Sequence, residues 1–269
     1  MKKPLVSIII PTKEEEENIE NCLKSIENQN YRNTEIIIVD NFSKDKTLKT
    51  ARKYAKKCFL WGKERSAQRN YGAIKSKGDF LLFLDADMML TKKCISEALN
   101  KIQKNKSIIA FPEKAIGRNF WEKSIALERN LYQKEKSVAA ARFFSKHLFL
   151  KVKGFNENLI AGEDWDLSER AEKEGYHIVF TGAKIIHQEK VKSLRKLLKK
   201  KNYYCSKINL YEKKNQINFK KRASILNRLL IFAKNWKPLI KDPAHTFGFL
   251  TLKTLVFLIW VLKKEKHKN

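Results

Sequence analysis

Short, largely apolar runs alternate with helically spaced segments through the first half of the chain, and each run stops at a polar or turn-forming residue. Leu5–Ile10 stops at Pro11-Thr12, Glu35–Val39 at Asp40-Asn41, Phe80–Leu84 at Asp85, and Ile108–Phe111 at Pro112. Runs with so little polar alternation predict strands covered on both faces. Between the first two, Ile19, Cys22, Leu23 and Ile26 recur at helical spacing, which makes a βαβ unit with a right-handed crossover. Asn41-Phe42-Ser43-Lys44-Asp45 offers N-cap residues for a helix through Tyr54, buried on Leu48, Ala51 and Ala55. A third helix is predicted over Ser66–Ser76 with Gly78 as its stop, and a fourth over Phe120–Lys136 with Trp121, Ile125, Leu127 and Leu131 inward. Lys151–Gly162 reads as loop, Leu167–Glu174 as a helix ended by Gly175, and His177–Phe180 and Lys184–His187 as strands. The fold class predicted is α/β, a mixed, mainly parallel sheet flanked by helices over 1–189, with a helical extension over 190–269.

Charge separates these two parts. Of 57 Lys and Arg against 29 Asp and Glu in 269 residues, net +28, the stretch from Lys190 to Asn269 holds 22 basic and 3 acidic. Such a tail seeks polyanions, either nucleic acid or the anionic face of a membrane. Its last apolar stretch, Phe247 to Leu262, has 16 residues broken by Lys253; at ~1.5 Å per residue it falls short of the ~30 Å hydrocarbon core. An interfacial helix flanked by Lys263, Lys264, Lys266 and Lys268 is expected. A full span and a helix docked on the rest of the chain are the alternatives.

Cys22, Cys58, Cys94 and Cys205 form no C-x-x-C pair, so neither a zinc knuckle nor a redox motif is supported and reduced thiols are expected. The apolar run after Met1-Lys2-Lys3-Pro4 is too short for a signal peptide. Chemistry is signalled instead at Asp85-Ala86-Asp87, two carboxylates directly after a buried strand. They repel unless a cation sits between them, and oxygen ligation beside a phosphate-bearing substrate favours Mg²⁺ or Mn²⁺ over zinc. The competing reading is an Asp-rich turn.

Taken in order, Val6-Ser7-Ile8-Ile9-Ile10-Pro11-Thr12, Ile37-Ile38-Val39-Asp40, Arg69-Asn70-Tyr71-Gly72, Phe83-Leu84-Asp85-Ala86-Asp87 and Gly162-Glu163-Asp164-Trp165-Asp166-Leu167 resemble the family 2 glycosyltransferases. The resemblance covers Val6–His187, about two-thirds of the chain. It implies a Rossmann-like GT-A fold, a nucleotide-diphosphate sugar donor (UDP or GDP), Mg²⁺ or Mn²⁺, and inversion at the anomeric carbon.

The same resemblance assigns roles residue by residue. Asp85 and Asp87 match the D-x-D motif, Asp85 reaching the ribose and metal and Asp87 ligating the metal. Asp40 would accept a hydrogen bond from the base, or else cap the next helix. Pro11, Thr12, Lys13 and Glu15 match the segment that holds base and ribose, with Glu14 where the family usually has Asn. Glu14, Glu16 and Glu17 read as a solvated first helical turn. Arg69 would line the nucleotide pocket, or be an exposed helix charge. Asp164 is the expected general base and Glu163 positions the acceptor, while Asp166 is expected to cap the following helix. His187 is a further metal or diphosphate ligand, or a structural residue; Arg142 and Trp165 are placed on the acceptor side, Trp165 stacking on a sugar or simply packing.

The function expected is metal-dependent inverting glycosyl transfer to a membrane-associated or lipid-linked acceptor, a glycan or a polyprenyl phosphate. The expected location is cytoplasmic, peripheral at the inner face of the cell membrane. A nucleic-acid-binding protein, with Tyr203, Tyr204 and Tyr211 among lysines, is less favoured because lipid better explains the apolar tail. A sugar-nucleotide nucleotidyltransferase needs a Gly-rich loop after the first strand, which Pro11-Thr12-Lys13-Glu14 does not offer.

Overall fold

Val6–Thr12 (β1) and Thr34–Asp40 (β2) pair in parallel, from Val6 opposite Thr34 to Thr12 opposite Asp40, and this pair sets the frame of the fold. The computed structural model describes residues 3–102, 106–191, 193–214, 216, 219–220 and 224–266. Lys57–Leu60 (β3) and Phe80–Phe83 (β4) flank that pair, also in parallel. Met88–Leu90 (β5), Ser107–Ala110 (β6), Glu113–Ile116 (β7), Phe143–Ser145 (β8), His177–Phe180 (β9) and Ile185–Gln188 (β10) follow along the chain. The large sheet has the order β3-β2-β1-β4-β8-β6-β9. Its one reversed strand is β8, antiparallel to β4 and β6.

The chain divides into two compact units, residues 1–112 with 139–186, and residues 113–138 with 187–269. Sequence placed one boundary near Lys190; residues 113–138 group with the tail instead.

In the first unit the sheet is covered on both faces. Ile8, Ile10, Ile38, Leu82 and Leu84 pack with Cys22 and Leu23 of Ile19–Glu27 (α1), while Ile9, Ile37, Val39, Leu81 and Phe83 form a second cluster on the opposite side. Alternate residues of one strand thus enter different cores, which explains the absence of polar alternation. The remaining helices of this unit are Thr47–Ala51 (α2), Arg65–Lys75 (α3), Cys94–Ile102 (α4), Lys146–Lys151 (α6) and Glu163–Lys173 (α7); Phe120–Leu131 (α5) belongs to the second.

Helix α1 begins at Ile19, so Glu14–Glu17 precede it rather than forming its first turn. Gly78 is no helix stop: α3 ends at Lys75, and a Cβ on Gly78 would stand 2.7 Å from the Ser7 nitrogen, so the glycine permits close approach to β1. Gly175 does end α7, in the left-handed region at φ 81°.

The second unit continues with Leu194–Lys207 (α8), Asn209–Lys214 (α9), Ile225–Lys234 (α10), Trp236–Lys241 (α11) and Pro243–Lys266 (α12). While buried Phe249 packs on Phe232 of α10, helix α12 docks on α5 through buried Leu252, clustered with Ile125, and through Gly248, whose absent Cβ would lie 2.3 Å from Ser124 Oγ. A Lys253–Glu128 ion pair at 2.6 Å joins the same helices. The apolar stretch expected to lie in a membrane interface is therefore, along this side, a packing face. Among the described residues no helix is long and apolar enough to cross a membrane.

Candidate active site

Because β1, β2 and β4 run parallel, their carboxyl ends open on one edge of the sheet, where ligands of open α/β folds bind. At that edge Asp40 is fully buried and accepts hydrogen bonds from Thr12 Oγ1, Ser43 N and Ser43 Oγ, each at 2.7 Å. Pro11 and Thr12 are the last residues of β1, opposite Val39 and Asp40. Lys13 Nζ donates to the Asn41 carbonyl at 2.5 Å, and the amides of Glu14, Glu15 and Glu16 donate to Ser43 Oγ, Thr47 Oγ1 and Asp45 Oδ2. The Glu15 carboxylate accepts from Asn18 Nδ2 at 2.6 Å. The segments after β1 and β2 thus clasp each other, and Gln68 Nε2 secures both strand ends by donating to the Thr12 and Val39 carbonyls at 2.9 and 2.6 Å.

Arg69 is the centre of the site. Its side chain is 1 % exposed; Nη2 lies 2.6 Å from Asp85 Oδ1, Nη1 lies 3.0 Å from Asp164 Oδ1 and 3.4 Å from Glu163 Oε1. Arg142 Nη1 reaches the other oxygen of Asp85 at 3.3 Å, and Arg65 lies 3.5 Å from Glu163. Burial alone would raise the Asp85 pKa; Arg69 and then Arg142 outweigh it and hold the carboxyl well below the usual range. The rest of the Arg69-Asn70-Tyr71-Gly72 motif serves the same placement. Asn70 exchanges two hydrogen bonds with the Phe155 backbone, bringing that ring 5.1 Å under the Arg69 guanidinium; Tyr71 stacks on Trp61. Gly72 lets α3 lie against β1 and β2, since a Cβ there would meet Ile9 Cγ2 at 2.5 Å.

Helix α7 starts four residues earlier than sequence predicted, with Gly162 at its N-cap in the left-handed region at φ 79°. Glu163 and Asp164 occupy the first turn. Asp166 is not a cap: it is buried inside the helix and binds Arg170 Nε at 2.8 Å. Trp165 is half-buried. Burial, and next the charge of Asp164, push the Glu163 carboxyl up to about 7, against the opposing pull of Arg69 and Arg65. Two adjacent carboxylates thus have different surroundings, Asp164 being the more exposed.

Asp87 follows Asp85 by two residues and keeps Oδ1 buried. His187 lies in the second unit, its Nδ1 2.6 Å from Arg129 Nη1 and 3.6 Å from Glu113 Oε2, with Arg129 also 2.9 Å from Glu189. Among the described residues no three His, Cys, Asp or Glu side chains gather into a metal-holding cluster.

The family model described as "Glycosyl transferase family 2" matches residues 7–152, more than half of the chain. The chain belongs to that family. Similar sequences include "Glycosyltransferase AglE" of Haloferax volcanii, 25% identical over 195 residues that cover 66% of this chain and 64% of the relative. Another is "GalNAc(5)-diNAcBac-PP-undecaprenol beta-1,3-glucosyltransferase" of Campylobacter jejuni, 27% identical over 177 residues covering 60% and 57%. The chain spans about three-fifths of the length of these curated relatives. In fold it is similar to "Mannosyltransferase PcManGT from Pyrobaculum calidifontis in complex with GDP-Man and Mn2+", with TM-score 0.64, 16% identity, and coverage of 100% of this chain and 89% of that one. The family member is thus a GT-A protein, as its sequence implied.

Sequence reasoning missed Arg65, Gln68 and Phe155. Arg65 falls four residues before Arg69, one residue ahead of the predicted helix Ser66–Ser76, so helical spacing carried a signal for it; Gln68, adjacent to Arg69, and Phe155, in a loop, carried none.

Proposed function

We propose that this chain transfers a sugar, with inversion, from a nucleoside-diphosphate sugar to a membrane-associated or lipid-linked acceptor, a glycan or polyprenyl phosphate. The supporting observation is the convergence of Asp85 and Asp164 on the single buried guanidinium of Arg69. One carboxylate comes from the strand edge suited to a nucleotide and the other from a helix start. Pro11, Thr12, Lys13, Glu15 and Asp40 form the base and ribose side of the donor pocket, and Asp85 its phosphate side. Asp164, the more exposed member of the Glu163-Asp164 pair, takes the proton of the attacking acceptor hydroxyl. Glu163, protonated over part of the neutral range, orients that hydroxyl; Arg142 and Trp165 border the acceptor.

The residues fit a hard divalent cation, Mg²⁺ or Mn²⁺. Arg69 and Arg142 take both Asp85 oxygens, so Asp87 would be the main carboxylate ligand, with Asp85 beside it. One or two carboxylates plus substrate phosphates is the usual way proteins hold Mg²⁺. When bound, the cation would neutralise charge on the departing nucleoside diphosphate.

The names of relatives support the acceptor class: one such name specifies an undecaprenol-linked acceptor, and "Poly(ribitol-phosphate) beta-N-acetylglucosaminyltransferase TarS" of Staphylococcus aureus, 30% identical over 110 residues, specifies a phosphate-rich polymer. The test is a thermal-shift screen of UDP- and GDP-sugars with and without Mg²⁺ or Mn²⁺, followed by transfer of labelled sugar to polyprenyl phosphate. A metal-dependent rise in Tm with one donor is expected; no rise with any of them overturns the donor site.

A further inference from the structure

Helices α10 and α11 are separated by a single residue, Asn235, and carry apolar side chains on two sides. The inner side is accounted for: Ile231 is buried, Phe232 packs against Tyr132 and Phe249, and Asn235 Nδ2 donates to the Leu131 carbonyl at 3.2 Å. On the outer side Leu226, Leu229, Leu230, Trp236 and Ile240 are each between 50 and 69 % exposed. By helical spacing Leu226, Leu229 and Leu230 share one side of α10, and Trp236 and Ile240 share one side of α11, so the exposed apolar stripe comes in two segments that meet at the non-helical Asn235. A helix with one apolar side already packed needs a second apolar environment for the other.

Charge identifies that environment. Lys234, Lys237 and Lys241 are exposed beside the stripe, and no Asp or Glu occurs from Ser224 to Lys241. A second copy of the chain would bring the same cationic surface, so self-association through this side is opposed. Lys234 pairs with Glu135 and Asp242 follows Lys241, yet the balance beside the stripe stays cationic, and leucine and tryptophan flanked mainly by lysine match the headgroup boundary of an anionic bilayer. Helices α10 and α11 have 10 and 6 residues, too few at ~1.5 Å per residue to span the ~30 Å hydrocarbon core, so the seating is in the plane of the surface.

We propose that the outer face of residues 225–241 seats the protein on an anionic bilayer. The inference deepens the reading above and rests on it for the nature of the acceptor. It adds the shorter helices before Phe247–Leu262 to the stretch that sequence favoured, where Phe247, Leu250, Phe257 and Leu258 are also exposed.

The experiment floats the full chain with phosphatidylcholine vesicles, plain or doped with phosphatidylglycerol. Wild type should float with the doped vesicles and lose this at high salt. Combined Leu226→Gln, Leu229→Gln, Leu230→Gln and Trp236→Gln should lower partitioning by roughly tenfold or more, with the donor-induced rise in Tm unchanged. Should that variant fail to fold, Trp236→Phe is the second arm. Vesicles should blue-shift the tryptophan emission of wild type, and most of that shift should vanish in Trp236→Phe. Equal flotation of the combined variant, equal binding of wild type to plain vesicles, or a stripe-dependent dimer in light scattering without vesicle binding would overturn the proposal. Vesicle binding without sugar transfer to any acceptor would count against the active-site reading alone.

Discussion

Arg69 Nη1 stands 3.0 Å from Asp164 Oδ1, so the proposed base is held by a buried cation whose other terminal nitrogen grips Asp85. One guanidinium therefore sets the separation of the donor-side and acceptor-side carboxylates. It does so from the middle of α3, whose own seat on the sheet depends on Gly72.

Replacing the two proposed key carboxylates should separate binding from turnover. Asp164→Asn should keep the donor-induced rise in Tm and lose transfer by about 10²–10⁴-fold in kcat. Asp87→Asn should lose the metal-dependent part of the rise as well. Normal turnover by Asp164→Asn refutes the base assignment.

Arg69→Met leaves Asp85, Asp164 and Glu163 without their shared cation and should cost about 3–5 kcal/mol in urea unfolding. Adding Asp85→Asn to this variant should recover part of the loss, because the carboxylate charge is then gone too. Additive losses would show that the pair is not coupled.

Glu163 gives a signed pH dependence. With its carboxyl raised from an ordinary value near 4.5 to about 7, the folded chain keeps a proton that the unfolded chain has released between those values. The stability contributed by this group is therefore present below about pH 4.5 and declines as pH rises to about 7, by up to roughly 3 kcal/mol. Stability of wild type minus that of Glu163→Gln, from urea unfolding at a series of pH values, should fall with rising pH. A rising difference contradicts the assignment.

Glu14 sits in the left-handed region at φ 54°, a conformation that Asn adopts with less strain than Glu. This is the position where the family usually carries Asn. Glu14→Asn should raise stability by about 1 kcal/mol, read as a higher urea midpoint with unchanged slope; a lower midpoint would mean that the Glu side chain makes a compensating contact.

Gly72→Ala should destabilise by about 1–3 kcal/mol even though alanine favours helix, because the added methyl meets packed side chains of two central strands. Ile9 Cγ2 would lie at 2.5 Å and Val39 Cγ2 at 3.2 Å. Adding Ile9→Val, which removes a methyl group from the crowded side, should reduce the cost, as thermal melts of the double variant would show.

The central strands were legible because β1, β2, β4 and β6 are apolar on both faces and end at turn or charged residues. Strands β3, β5, β7 and β8 were not predicted: β5 and β8 have three residues each, and β3 and β7 open on charged residues, so none shows an apolar run or a period. The start of α7 was placed late because Gly162 caps it from a left-handed conformation, whereas the sequence reading took the Gly-Glu-Asp segment as the approach to the helix. Asp166 resembled a cap by residue type and position, yet it bonds to Arg170 one turn on.

The family, the mainly parallel sheet and the residues at its edge could be read from the amino-acid order, because these depend on periodicity, strand-end chemistry and ordered motifs. That Arg69 joins carboxylates from β4's end and α7 follows from packing alone, since those carboxylates are 16 and 95 residues away from it. Likewise only packing decided which apolar side of the tail helices faces inward. Hydrophobicity assigns a residue to an apolar environment, but whether that environment is another helix depends on what lies against it, as Phe249 and Leu252 show by packing while Leu229 and Trp236 remain exposed.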